Sequence, residues 1–134
     1  MSGRRLWRAG TLALCLAARL AAAPEAARGA QLYVRCQACH ALAYDRVGPH
    51  HCGLFGRLAG SVPDFSYSAA MKRSKIVWND KTLDRFPANP LKTVPGRTMT
   101  HDGVPGPKQR ADLIACLRHV NNTSECAMKP AIKA

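Results

Sequence analysis

The pentapeptide Cys36-Gln37-Ala38-Cys39-His40 restricts this chain more than any other stretch of it. Two thiols three positions apart share one side of a helical turn, and an imidazole follows at once. C-x-x-C-H is the attachment pattern of a c-type haem: both thiols add to the vinyl groups, and the histidine binds the iron from the same side. A C-x-x-C pair by itself also serves zinc sites and redox-active dithiols. Zinc needs a second ligand pair, but Cys52 with His50 and His51, then scattered cysteines and histidines, gives poor tetrahedral spacing. A redox dithiol of the βαβ kind follows a β-branched strand, and no such run lies between Ala30 and Tyr44. Haem is the favoured reading, with zinc and dithiol behind it.

The N-terminus points to export. Arg4, Arg5 and Arg8 precede a Leu- and Ala-rich run from Thr11 that ends in Ala21-Ala22-Ala23. Residues 1–23 therefore read as a secretory signal peptide, with an uncleaved anchor as the alternative. Arg19 interrupts the run and Pro24 is a poor residue after a cut, so the cleavage point is open. No other stretch approaches the ~18 apolar residues of a spanning helix. Residues 24–134 leave one domain's worth of chain. Without the four arginines of the first 23 residues the formal charge falls from +12 to +8. Such a balance often marks nucleic-acid binding, but no recognition motif accompanies it and export argues against it. An acidic protein partner suits it better.

Beyond residue 23 the sequence alternates helical stretches with Gly/Pro loops, without repeats. A first helix is expected from Glu25 or Ala26 to Cys39. A long loop follows from Gly48-Pro49. Short helices are expected at Ser68–Ser74 and, capped by Asn79, at Asp80–Phe86. Asn89–Lys108, with four prolines, reads as loop. A last helix runs from about Lys108 to Val120, with Leu113, Cys116, Leu117 and Val120 on one face. So little helix cannot enclose a core alone, so a buried cofactor is expected at its centre and the cofactor-free chain should fold poorly.

Iron held by His40 has a further axial position, which suits a thioether or imidazole carried on a loop. Met99, just after the Pro95-Gly96 turn, fits as the second ligand; ordinary apolar filling is the plainer alternative.

With these residues assembled, the chain resembles the cytochrome c family, in particular the small single-haem, mitochondrial-like cytochromes also made by bacteria. The ordered blocks are Cys36 to His40; Gly48-Pro49 and Gly53-Leu54-Phe55-Gly56-Arg57; Phe65 to Met71; Trp78; Thr82-Leu83-Asp84; Asn89-Pro90; Val94-Pro95-Gly96 with Met99; and Arg110 to Ala115. The resemblance implies an all-α cytochrome c fold of three to five helices wrapped around one covalently bound haem c. It implies that the Pro49 carbonyl orients His40, and that Arg57, Tyr67 and Trp78 hydrogen-bond the haem propionates. It also implies that Gly29 and Tyr33 pack on Leu113 and Cys116.

Several positions depart from the family. Cys52 stands where an apolar residue usually lies against the haem, and Cys116 where an aromatic is usual. With Cys126 these make three further thiols, so at most one disulfide forms; Cys116 with Cys126 is the expected pair, three reduced cysteines the alternative. Pro87 should end its helix early or kink it. Phe86 replaces a frequent tyrosine. His101, where an aromatic is usual, is a second candidate ligand, expected rather in solvent or at the rim. His50, His51 and His119 are expected to be solvated.

The resulting expectation is a monomeric periplasmic electron carrier, not an enzyme, whose His40/Met99-ligated iron alternates between ferrous and ferric. Lys72, Lys75, Lys92, Arg97 and Lys108 would form a basic rim toward an acidic oxidase or reductase. The alternative is a haem peroxidase or small-ligand sensor in which Met99 is labile.

Overall fold

The computed structural model describes residues 24–128, and the expected signal segment lies outside them. Among these residues there are six helices: α1 (Ala26–Gln37), α2 (Ala69–Arg73), α3 (Asp80–Ala88), α4 (Pro90–Thr93), α5 (Pro107–Asn121) and α6 (Ser124–Ala127). No strand occurs among the described residues; Leu58 and Val77 form an isolated antiparallel bridge.

The frame is the crossing of α1 and α5. Ala, Arg, Gln and Leu make up most of α1, while α5 opens on Pro107, whose fixed φ suits a first helical position, and carries Arg118 and His119 in its last turn. The helices meet at Gly29, where a Cβ would run into the Asp112 carbonyl and the Cys116 side chain. Only glycine permits that approach. Asp112, buried in this crossing, accepts hydrogen bonds from the Glu25 backbone N–H at 2.8 Å, from Arg28 Nε at 2.8 Å and from Lys108 Nζ at 3.2 Å. The start of α1 is thereby tied to the first turn of α5. Arg110 holds the same turn from the other side, bonding Asp84 of α3 at 2.7 Å and the carbonyls of Val104 and Pro105.

The Asn79 cap forms as expected: its side chain accepts from Thr82 N, and Thr82 Oγ1 accepts in return from Asn79 N. α3 does not stop short at Pro87 but runs on to Ala88. Pro87 lies in the last turn, so its missing N–H costs a single hydrogen bond to Leu83, and its carbonyl accepts from Val104 N at 2.7 Å. α1 ends at Gln37, two residues before the expected limit, where Cys39 N and His40 N both turn back to the Cys36 carbonyl. The single-turn helices α4 and α6 were not expected; α4 is capped by Asn89 with Pro90 in its first turn.

The disulfide expectation is corrected. Cys126 is bonded to Cys52, with Cα atoms 4.9 Å apart, and Cys116 is free and buried. Cys116 faces inward against α1 at Gly29, whereas α6 folds the tail back onto the loop after Pro49. Asn121 secures that loop too, its side-chain oxygen accepting from Gly53 N at 2.7 Å.

Candidate functional site

Leu54, Leu83, Phe86, Leu113 and Leu117, all buried, line a cavity of about 430 Å³ rather than closing on one another. That volume is in the range of ligand pockets. Cys36, Cys39, His40 and Met99 share its wall.

The geometry of His40 begins in the turn that ends α1. Gly48 N donates to the Cys39 carbonyl at 2.8 Å, which lays residues 48 and 49 alongside the pentapeptide. A Cβ at Gly48 would penetrate the His40 ring, so glycine lets the backbone pass beside the imidazole. His40 Nδ1 then donates to the Pro49 carbonyl at 2.7 Å. Burial lowers the His40 pKa; the Pro49 carbonyl opposes this, and the positive charge of Arg57 adds to it. The ring is thus neutral, with its proton on Nδ1 and the Nε2 lone pair left for a metal. Burial raises the Cys36 thiol pKa, which keeps it protonated.

Met99 reaches the cavity from the loop after α4. Arg97 N bonds the Val94 carbonyl at 3.2 Å, and Gly96, at φ +84°, takes the left-handed conformation of that turn. His101 is half-buried and lines the cavity. Its Nδ1 accepts from Gly103 N at 2.8 Å, which puts the ring proton on Nε2 and leaves neither nitrogen with an uncommitted lone pair.

Arg57, Tyr67 and Trp78 all line the cavity, as does Pro49. Trp78 is held by its N–H to the Arg57 carbonyl at 2.9 Å and by an edge-to-face contact with Phe86. Arg57 is 2% exposed and donates to the carbonyls of Cys52 and His50 at 3.1 and 2.7 Å. A buried cation bonded to carbonyls calls for an anion. The buried Arg97 Nε has no hydrogen-bond partner among the described residues. A large apolar cavity with two thiols, a neutral imidazole, a thioether and a buried guanidinium fits a haem with its propionates.

Three assignments change. Cys52 does not face the cavity: it is buried in its disulfide, and His51 takes the place on the wall. Neither His50 nor His51 is solvated. His50 is 7% exposed, with Nδ1 2.6 Å from Asp45, and His51 stacks on His40. Burial, then the positive charge that His40 and Arg57 can carry, drives the His51 pKa well below its ordinary value. His119 is exposed, as expected. Of the expected basic rim, Lys72, Lys75 and Lys92 are exposed, Lys108 is exposed but paired with Asp112, and Arg97 is half-buried.

Helices wrapped around a haem-sized cavity, with a C-x-x-C pair of thiols and an oriented histidine on its wall, are the mark of a c-type cytochrome. The profile described as Cytochrome c matches residues 26–121. A cytochrome c2 from Rhodomicrobium vannielii is 41% identical over 108 residues, which are 78% of this chain and 86% of that one. A cytochrome c2 from Blastochloris viridis is 36% identical over 84% of this chain and 91% of its own. Among solved structures, cytochrome cH from Methylobacterium extorquens superposes with a TM-score of 0.69 at 35% identity, covering 71% of this chain and 98% of that one. The chain belongs to the cytochrome c family. It is an all-α, single-haem electron-transfer protein with covalently bound haem c, and not an enzyme.

Proposed function

We propose that His40 and Met99 are the axial ligands of the haem iron, that Cys36 and Cys39 carry the covalent bonds, and that the protein shuttles electrons in the periplasm as a monomer between acidic partners such as an oxidase or reductase. When bound, the haem supplies a one-electron ferrous/ferric couple. The chain's part is to hold and shield it. Pro49 fixes the His40 tautomer. Arg57, Tyr67 and Trp78 offer donors to the propionates, with Arg57 compensating buried negative charge. Met99, a neutral soft ligand, raises the potential. His101 is the weaker candidate for ligation, because its Nδ1 lone pair is taken by Gly103 N.

The observation that carries this reading is the gathering of both thiols, the neutral imidazole and the thioether on one apolar cavity. Export rests on the sequence of residues 1–23. The acidic partner rests on the net charge and on exposed Lys72, Lys75 and Lys92.

The test is spectroscopic. The purified protein should stain for haem after denaturation, show the near-infrared charge-transfer band of methionine ligation when ferric, and refuse carbon monoxide when ferrous. Loss of the band with rapid carbon monoxide binding would instead indicate a labile Met99 and a sensor or peroxidase. Electron transfer to an acidic partner should slow steeply with ionic strength; indifference to salt would remove the docking claim.

A further inference from the structure

The neighbour of His40 opposite expectation is His51. Its ring lies 4.2 Å from the His40 ring, centroid to centroid, with planes 21° apart. Tyr33 Oη is hydrogen-bonded to His51 Nδ1 at 2.8 Å. The backbone imposes this arrangement: His51 N donates to the Ala41 carbonyl at 3.1 Å and Cys52 N to the Leu42 carbonyl at 2.8 Å. Those bonds run the loop beside the segment that follows the haem-attachment pentapeptide, so the first side chain to turn inward meets the His40 face. Cys52, next along, turns away and is anchored by its disulfide.

His40 is held at Nδ1 by the Pro49 carbonyl and has the Gly48 backbone close beside its ring, and His51 stacks on that ring as a further contact. A stacked ring narrows the remaining rotation of the imidazole plane. We propose that His51, held by Tyr33, is a positioning residue for the iron ligand: it sets the plane of the His40 imidazole and lowers the reduction potential. The inference rests on His40 binding the iron. The potential follows because an imidazole beside the ligand is a polar surround, which favours the more highly charged ferric state over the ferrous one. An aliphatic side chain of similar size in its place would favour the ferrous state.

The experiment uses the haem-loaded protein and two variants. His51→Leu keeps apolar bulk without the polar ring; Tyr33→Phe keeps the core and removes only the hydroxyl that holds His51. His51→Leu should shift the equilibrium toward reduced iron by at least threefold, about 28 mV at ~59 mV per tenfold for one electron. Both variants should alter the haem-methyl pattern in the NMR spectrum of the ferric protein, which reports the ligand plane and which a merely structural residue would leave alone. A folded His51→Leu protein with unchanged potential and methyl pattern overturns the inference. If that variant does not retain haem, Tyr33→Phe decides alone, and an unchanged methyl pattern there overturns it. A parent protein without a histidine-ligated spectrum overturns the assignment of His40 and the inference with it, which separates the two failures.

Discussion

Replacing both Cys52 and Cys126 by alanine should destabilise the protein by about 3–4 kcal/mol while leaving the haem pocket formed. The bond joins residues 74 apart in sequence. In the chain-entropy description, closing a loop of that size removes about 15 cal/mol/K from the unfolded ensemble, which is ~4.4 kcal/mol at room temperature. Measured values usually fall short of that figure because the open unfolded chain retains some structure. The proposed haem attachments at Cys36 and Cys39 would not substitute for the bond, since these residues are only three apart and close no long loop. The assay is equilibrium unfolding in guanidinium, followed by haem absorbance and by tryptophan fluorescence, with parent and variant both held ferrous so that iron state does not enter the comparison. The midpoint should fall and the slope should rise, because an uncrosslinked unfolded chain exposes more surface. Reducing the disulfide of the parent should reproduce the variant, and Cys116→Ala should not. A loss under about 1 kcal/mol in both the variant and the reduced parent would refute the reasoning and show that the short α6 is already held without the bond.

Gly29→Ala should cost about 2 kcal/mol: overpacking against the unyielding Asp112 carbonyl takes ~3, and the better helix propensity of alanine returns ~1. Urea unfolding reads this, and a neutral or stabilising outcome would mean that α1 and α5 separate freely. Gly48→Ala should displace the His40 ring from the Pro49 carbonyl, lowering haem retention or changing the ferric spectrum more than it changes helix content by circular dichroism. Asp112 is held well below its ordinary pKa of 3.8, chiefly by the Arg28 hydrogen bonds. Its contribution is therefore fully present above about pH 3.8 and is lost as pH falls through the depressed native value. Asp112→Asn should be less stable at neutral pH and should show a flatter acid limb below about pH 4, measured as denaturant midpoint against pH. An unchanged acid limb would place the acid sensitivity in other carboxylates.

Much of the site was legible because it is local. Cys36, Cys39 and His40 form one turn, and Pro95-Gly96 ahead of Met99 is a turn whose residues prescribe their own backbone. The Asn79 cap is read from residues 79 to 82, and the apolar face of α5 from its period. What was missed lies where local pattern is silent. Between Gly48 and Arg57 the chain is irregular, with neither a period of 2 nor of 3.6 to say which side chain turns inward, so His51 and Cys52 exchanged roles. The Cys52–Cys126 pairing depends on where α6 brings the tail, which a spacing of 74 residues does not encode. The rule for proline in helix interiors overstates the effect of Pro87, whose place in the last turn, with its carbonyl accepting from Val104, makes it tolerable. The Asn89-Pro90 pair carries the signal of α4, a cap followed by a proline in the first turn.

The sequence by itself determined the cofactor and the helical class, and it points to Cys36, Cys39 and His40 as the proposed attachment and ligand residues, because each depends on residues adjacent in the chain. Tertiary structure decided how the cavity is lined: Gly29 and Gly48 as points of closest approach, Arg57 buried on carbonyls, His101 with its lone pair occupied, and His51 stacked on His40. These are contacts between separate segments, and their energies come from packing and desolvation, which exist only once the chain has closed around its core.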